Sequence, residues 1–527
     1  MRRRKNEKGI AILITALLLG VVLPGVGLAI DAGVLYVVKS QMTAASDAAA
    51  LAAARSLNLG QSVTEQNNIA ISRARSFYLS NFPNGYMGTR NSSISTTLTY
   101  LDYATLQVAV TTSVEAPIYF MRLLRGGTPT VRALGTATRR NVNLVLVLDK
   151  SGSMADTSTV KPCTAMKSNA ATFLSYFANG RDRIGLVSFN GAWTLEQAPT
   201  TNFLATIPSK ITALSCSGST GTAQAINNAY AQITNLHEPL ALNVMVFFTD
   251  GQPTALTADF PLRMRTTLSY GNNTGTSVGT FFPSPCNNPG NTCNMEPSTC
   301  KDTNGNSFDR NNGQGSRTYN APAWNPNWFN QGVGGLASLP TYRGFIADYG
   351  SSANTGATAG PLQYNPAEAN PTVGTSCAFR TDPLHIRRDL AYIPPTDIYG
   401  NATSGYKSDN SLDYYPSGVG HPYAGKIRVD RPIAVNHAAT NAADDQGRRV
   451  RSDSTYNPVI YCIGLGGNPG NPPDTEFMTR LSNDGSSTDT YGGDSERPRG
   501  LYVYSPNTAQ LNQAFAVIAS SVLRLSR

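Results

Sequence analysis

Two eight-residue stretches, VNLVLVLD (142–149) and NVMVFFTD (243–250), set the tightest limit on how this chain can fold. Each is apolar on both alternating faces and carries no charge before its final aspartate. A run of that kind cannot leave one face in water, so it reads as a parallel strand covered on both sides. RIGLVSFN (183–190) and PVIYCIGLG (458–466) are two more. Between and after them lie helix-like segments: CTAMKSNAATFLSYFANG (163–180), TAQAINNAYAQITN (222–235), RPIAVNHAATNAADDQ (431–446) and NTAQLNQAFAVIASSVLRL (507–525). Strands alternating with helices imply a doubly wound α/β sheet. The segments place it in two parts, 141–255 and 426–527. The intervening residues 256–425 are rich in Gly, Asn, Pro, Ser and Tyr and show no sustained period. That is too long for a plain connection and reads as an inserted, partly ordered surface element.

The N-terminus imposes a different constraint. Gly9 to Ile30 is 22 residues without a charge, against the ~20 that a helix needs to cross a bilayer. Arg2, Arg3, Arg4, Lys5 and Lys8 precede it, with Glu7 the one acid among them. Such a leader (1–8) stays cytoplasmic and sends the rest outward. Pro24 is tolerable in a membrane helix. The competing reading is a cleaved signal peptide with its apolar region at Ile10–Leu23 and with Gly27 and Ala29 before the cut. The anchor is favoured because helix formers continue without a breaker after Gly33, giving a helical extension over 31–58. Val34, Val38, Met42, Ala45, Ala49 and Ala52 form one small, apolar stripe along it. A stripe of this type suits close approach of a partner helix or of the chain's own domain. Residues 59–140 read as a small α+β module. A helix covers EQNNIAISRARSFYLSNF (65–82), a hairpin covers ISTTLTYLDYATLQVAVTTSVEA (94–116), and TVRALGTATRR (130–140) adds a strand.

Charged residues make up 14% of the 527, and of the net +9 the leader supplies +4, five cations less one acid. No basic stripe interleaved with aromatics occurs, so the excess reads as a topology signal and no nucleic-acid partner is expected. Seven cysteines in an exported chain point to disulfides. Cys286, Cys293, Cys300 and Cys377 fall in the insertion. Cys462 lies in an apolar strand and reads as a buried thiol.

Ligands of open α/β sheets bind beyond the C-terminal strand ends, where strand order reverses. Asp149 and Asp250 end two of the apolar strands. Ser151 and Ser153 follow the first, and CSGSTGTAQAI (216–226) supplies hydroxyls just ahead of a helix. Asp149, Ser151, Ser153, Thr220 and Asp250 are all oxygen donors, with Ser219 or Thr222 as alternatives to Thr220. A hard divalent cation, Mg²⁺ or Mn²⁺, wants such a set.

This order of motifs resembles the metal-ion-dependent adhesion site of von Willebrand factor type A domains: Asp-x-Ser-x-Ser, then a threonine about 70 residues on, then an aspartate. The resemblance implies that Ser151, Ser153 and Thr220 contact the metal, with Asp149 and Asp250 acting directly or through water. It also implies an open position for a partner's carboxylate. In that fold the first helix and the threonine loop both flank the metal, which makes Cys163 and Cys216 a disulfide candidate. The basic leader, Gly9 and LAIDAGVLYVVKSQMTAASDAAALAAA, with Asp31, Gly33 and Asp47, resemble the N-terminal segment of TadG-like proteins of the tight-adherence (Flp-type) pilus system. That likeness covers residues 8–56. Ile14 departs from it, because pilin-like relatives cut by prepilin peptidase carry glutamate at that place.

Enzyme readings fail on context. GTSVG (275–279) has the nucleophile-elbow spacing without a strand before or a helix after it. His237, His385, His421 and His437 form no metalloprotease motif, and Ser151 stands where a phosphoryl-transfer aspartate would want a second acid. DTNGNSFDRNNG (302–313) resembles a calcium loop whose glycine falls one place early. The chain is expected to be a non-catalytic, membrane-anchored pilus-assembly or adhesion protein. Its expected partners are other pilus-assembly membrane proteins and a protein presenting an acidic residue. The alternative is an envelope scaffold with a vestigial metal site.

Overall fold

Helix starts at Glu7 and continues to Ser56, so α1 (Glu7–Ser56) is a single 50-residue element with Pro24 inside it. The computed structural model describes residues 7–123, 127–261, 292–294, 316–318, 341–347, 391–415, 423–429, 431–466, 472–485 and 493–526. These residues divide into two units. One comprises 1–141 with 176–182 and 523–527; the other comprises 142–175 and 183–522.

In the first unit α1 changes character at Asp31. Before it, apolar side chains such as Leu17 and Val21 are 69% and 68% exposed; beyond it Val38, Met42, Ala45, Ala49, Ala53 and Leu57 are fully buried. The helix is long and apolar enough to cross a membrane. Its second half packs on α2 (Val63–Asn81) and on the antiparallel sheet β1 (Arg90–Tyr100), β2 (Thr105–Glu115), β3 (Thr130–Arg140). The small-residue stripe is therefore occupied by the chain's own module, and 31–58 and 59–140 form one unit rather than two successive pieces. At the end of the stripe Ala53, not Ala52, is the buried residue, as steps of 3.6 residues require.

Local chemistry sets the boundaries. Ser62 caps α2 by accepting the amide of Glu65 at 3.2 Å, while Glu65 accepts the amide of Gln61 at 2.8 Å, a variant of the capping box. Asp102 accepts the amides of Ala104 and Thr105, both at 2.7 Å, and so turns β1 into β2. Small residues let α1 lie directly on the sheet. A Cβ at Gly135 of β3 would stand 2.3 Å from the backbone carbonyl of Ser46. Residues 176–182 complete this unit through a buried ion pair. Arg139 Nη2 donates to both carboxylate oxygens of Asp182 at 2.9 and 2.7 Å, and the amide of Ala178 donates to the same carboxylate at 2.7 Å.

The second unit is a six-stranded sheet in the order β13-β12-β7-β4-β5-β6. Its strands are β4 (Val142–Asp149), β5 (Arg183–Phe189), β6 (Trp193–Thr200), β7 (Leu242–Thr249), β12 (Val459–Leu465) and β13 (Tyr502–Ser505). All pairings are parallel except that of the edge strand β6 with β5. Every residue of β4, β7 and β12 is buried. Helices α3 (Pro162–Leu174), α4 (Phe203–Ala213), α5 (Thr222–Thr234), α6 (Pro432–Arg451), α7 (Thr475–Ser482) and α8 (Leu511–Leu525) complete the wound architecture. On one face Val145, Val147, Met245 and Phe247 meet Ile226, Ala229, Val435 and Ala439 of α5 and α6. On the other, Phe515 of α8 lies 5.4 Å from Phe173 and 6.0 Å from Phe248, ring centre to ring centre.

The insertion departs from expectation at its start. β8 (Ala255–Pro261) pairs antiparallel with β11 (Thr341–Ala347), and a short pair, β9 (Thr292–Asn294) and β10 (Ser316–Thr318), lies between them in sequence. Leu256, Ala258, Phe260, Ile346, Ile393 and Ile427 enter the core beside α5 and α6. The first part of the domain therefore does not end at 255, and the described parts of 256–425 belong partly to the core. The inward positions of β8 alternate over only three residues, too few to stand out in a Gly- and Asn-rich setting.

Gly135→Val should destabilise the first unit by ~1–3 kcal/mol or more, because the obstructing atoms are helix backbone and cannot rotate away. The urea midpoint of the purified chain, compared with the parent, measures it.

Candidate functional site

The parallel register of β4 and β7 pairs Leu148 with Phe248, so both strands end at one level and their aspartates emerge together. β4 is followed by β5 on one side and later by β7 on the other, which puts the reversal of strand order between β4 and β7. Asp149 is fully buried and Asp250 is 3% exposed.

The DKSGS turn closes on itself. Asp149 Oδ1 accepts the amide of Ser151 at 2.7 Å, and Thr249 donates to Asp149 Oδ2 at 2.5 Å. The Ser151 and Ser153 hydroxyls stand 3.0 Å apart, and Ser153 donates to Asp250 Oδ1 at 2.7 Å. Asp149, Ser151, Ser153 and Asp250 thus form one continuous polar chain.

Thr220 reaches the same corner on the 214–221 loop. Gly152 donates to the carbonyl of Gly218, and Ser217 to that of Lys150, both at 2.7 Å. Asn190, just beyond β5, donates to the carbonyl of Ser217 at 2.8 Å and accepts the amide of Gly221 on its own carbonyl at 2.7 Å. Gly218 has φ +92° and faces the Asn190 amide, so the turn needs glycine there. Thr220 is 3% exposed, and Thr254 fixes its main chain from both directions, at 3.0 Å each way. Of the two alternatives, Thr222 opens α5, and the buried Ser219 hydroxyl, without a hydrogen-bond partner among the described residues, stands 2.9 Å from where a Cβ on Gly191 would be.

The electrostatics are one-sided. Burial raises the Asp149 carboxyl above the usual carboxylate range. Burial and then the neighbouring Asp149 raise Asp250. Among the described residues neither is ion-paired; Lys150, next in sequence, turns to Glu196 at 3.5 Å instead. Two carboxylates and three hydroxyls, with no sulfur or imidazole, suit a hard divalent cation. Among the described residues no group of three His, Cys, Asp or Glu side chains is arranged for a metal. A cleft of ≈ 410 Å³ opens beside Asp250, which bounds it with Ser153, Thr157, Pro162, Leu465 and Thr508.

Thr249, Thr254 and Asn190 shape the site without having been singled out in the sequence. Thr249 had a signal, adjacency to Asp250; the other two depend on loop packing that no local pattern reveals. Cys163, in the first turn of α3, is bonded to Cys216 with Cα atoms 6.3 Å apart, which ties α3 to the loop that bears Thr220. Cys462 is a buried free thiol, raised by burial. His237 is exposed, and His437 Nδ1 lies 2.8 Å from Asp413. His385, His421, Cys286, Cys300, Cys377 and the 275–279 and 302–313 motifs lie outside the described residues, as does the Cys293 side chain.

Residues 144–252 match the family model of the von Willebrand factor type A domain, and residues 9–56 that of the Flp pilus-assembly TadE/G-like family. The chain thus joins a TadE/G-like segment to a type A domain. No curated protein sequence matches it. Among solved structures it is similar to the PilB minor pilin of Streptococcus sanguinis, at 13% identity over 84% of this chain and 79% of that one, with a TM-score of 0.35. It is also similar to the vWF domain of the type V pili tip protein Mfa5 from Porphyromonas gingivalis, at 16% identity over 74% and 98%, with a TM-score of 0.35.

Replacing Cys163 and Cys216 together with serine should lower the unfolding free energy by up to about 4 kcal/mol, the loop entropy the bridge removes. Denaturant titration against the parent checks the magnitude, and non-reducing peptide mapping checks the pairing.

Proposed function

We propose that this chain is a membrane-anchored, non-catalytic protein of a bacterial pilus system, and that its type A domain binds a protein partner through a divalent cation. The carrying observation is the buried pair Asp149 and Asp250, which lie at the mouths of adjacent parallel strands and are linked through Ser151 and Ser153, with no cationic side chain among the described residues to balance them. Asp149, Ser151, Ser153, Thr220 and Asp250 would hold Mg²⁺ or Mn²⁺. The bound ion supplies an electrophilic position for an oxygen ligand. With only two protein carboxylates in the set, that position stays receptive to an acidic side chain from the partner, and the neighbouring cleft receives the flanking residues.

The TadE/G-like match at 9–56 supports a place in pilus assembly or adhesion, alongside other membrane proteins of that machinery. The apolar helix behind a basic leader supports a single span, with the N-terminus cytoplasmic and the large domain periplasmic or extracellular.

Asp149→Ala should abolish Mn²⁺ binding in calorimetric titration while the Cys163–Cys216 bridge and the circular dichroism spectrum persist, since the core contacts of β4 precede Asp149. Thr249→Val, which removes only the hydroxyl that orients Asp149, should weaken binding by roughly 10- to 100-fold. Surface attachment by cells bearing Asp149→Ala, at matched protein level, should fall to that of chelator-treated parent cells. Equal attachment with intact metal binding in the parent would instead support a non-adhesive envelope scaffold.

A further inference from the structure

The buried carboxylate at the turning point of α1 holds a loop in place. Asp31 is 1% exposed. Its Oδ1 accepts the amide of Tyr119 at 2.8 Å, and its Oδ2 accepts those of Phe120 and Met121 at 2.9 and 2.6 Å. Three consecutive amides on one carboxylate make a strong, charge-assisted clamp. What the clamp presents is aromatic and uncovered: Tyr119 is 62% exposed, Phe120 51%, and Tyr36, further along α1, 74%. Arg122 beside them is exposed as well.

The level of these side chains matches that of a bilayer boundary. Gly9 to Ile30, at ~1.5 Å per residue, spans about 33 Å, close to the ~30 Å hydrocarbon core. Asp31 then stands at its edge. Phe120 reaches back along the helix to Gly27, where a Cβ would come within 2.6 Å of the Phe120 Cβ and of the first ring carbon, Cγ. That places the ring ~6 Å below Asp31, near the level of Val26 and Leu28, which are 53% and 52% exposed. Tyr36 lies ~8 Å above Asp31. Tyrosines at headgroup depth and a phenylalanine at the acyl boundary are the arrangement of an interfacial belt, and Arg122 suits lipid phosphates.

We propose that residues Ile118–Arg122, latched to Asp31, form a second membrane contact that seats Phe120 at the acyl boundary and Tyr119 and Tyr36 among phospholipid headgroups. The inference rests on α1 spanning the bilayer, and its test separates the two. The full chain is reconstituted into vesicles of phosphatidylethanolamine and phosphatidylglycerol, as parent and as Tyr119→Trp and Phe120→Trp. Emission is compared with that of the parent, which carries three tryptophans of its own. Lipids brominated near the top of the acyl chain should reduce the emission added at position 120 at least twofold, and aqueous acrylamide should leave it nearly unchanged. A tryptophan at 120 quenched by acrylamide as fully as one at 119, and not by bromine, would put the loop in water. One shielded from both would put a protein surface, such as a second copy, over it. Either result overturns the contact while retention after alkaline carbonate extraction upholds the span. Release of the chain by carbonate overturns both.

Discussion

The parallel pairing of β4 with β7 is the interaction on which the site depends. Seven consecutive residue pairs, Val142 with Leu242 through Leu148 with Phe248, set the register. Because both strands are buried on both faces, a slip of one residue would not turn a polar face inward, as it would in a half-exposed sheet. Seven ladder pairs between fully buried runs carry the alignment, and at the strand ends Thr249 donates to Asp149 across the pair. The register that aligns the strands thus also brings the hydroxyl to the carboxylate it orients.

Much of this was legible in the sequence because it depends on local pattern. The four apolar strands and the helices α3, α5, α6 and α8 announce themselves by unbroken runs or by helical period, and Asp149 and Asp250 fall where those runs stop. β6, α4, α7 and β13 did not stand out. β6 is an edge strand with a partly exposed pattern. α7 is eight residues long, with a cap at Asp474 as its clearest marker. β8 and β11 escaped because their inward residues are few and distant in sequence, Leu256 pairing with Ile346, 90 positions on (346 − 256). The placement of the hydroxyls at 219, 220 and 222 depends on loop packing, where Thr254 and Asn190 act from distant sequence.

The first unit shows one helix serving two environments. Before Asp31 the exposed surface of α1 is bulky and aliphatic; after it the buried surface is alanine, serine and methionine. The change of residue size follows from the change of neighbour. A sheet approached as closely as Gly135 approaches Ser46 accommodates only small side chains, a limit that does not apply to the half of the helix before Asp31. The alanine-rich stripe, equally suited to a partner helix, is spent on this contact.

The sulfur bridge has a mechanical meaning as well. A chain held in the membrane at one end and gripped elsewhere carries tension along its covalent path. Between Cys163 and Cys216 that path takes the short cut through sulfur, and the 53 intervening steps, ~180 Å of contour when extended, are removed from it. β5, β6 and α4 lie within the bypassed length. Under load these elements can lose contacts without lengthening the tether.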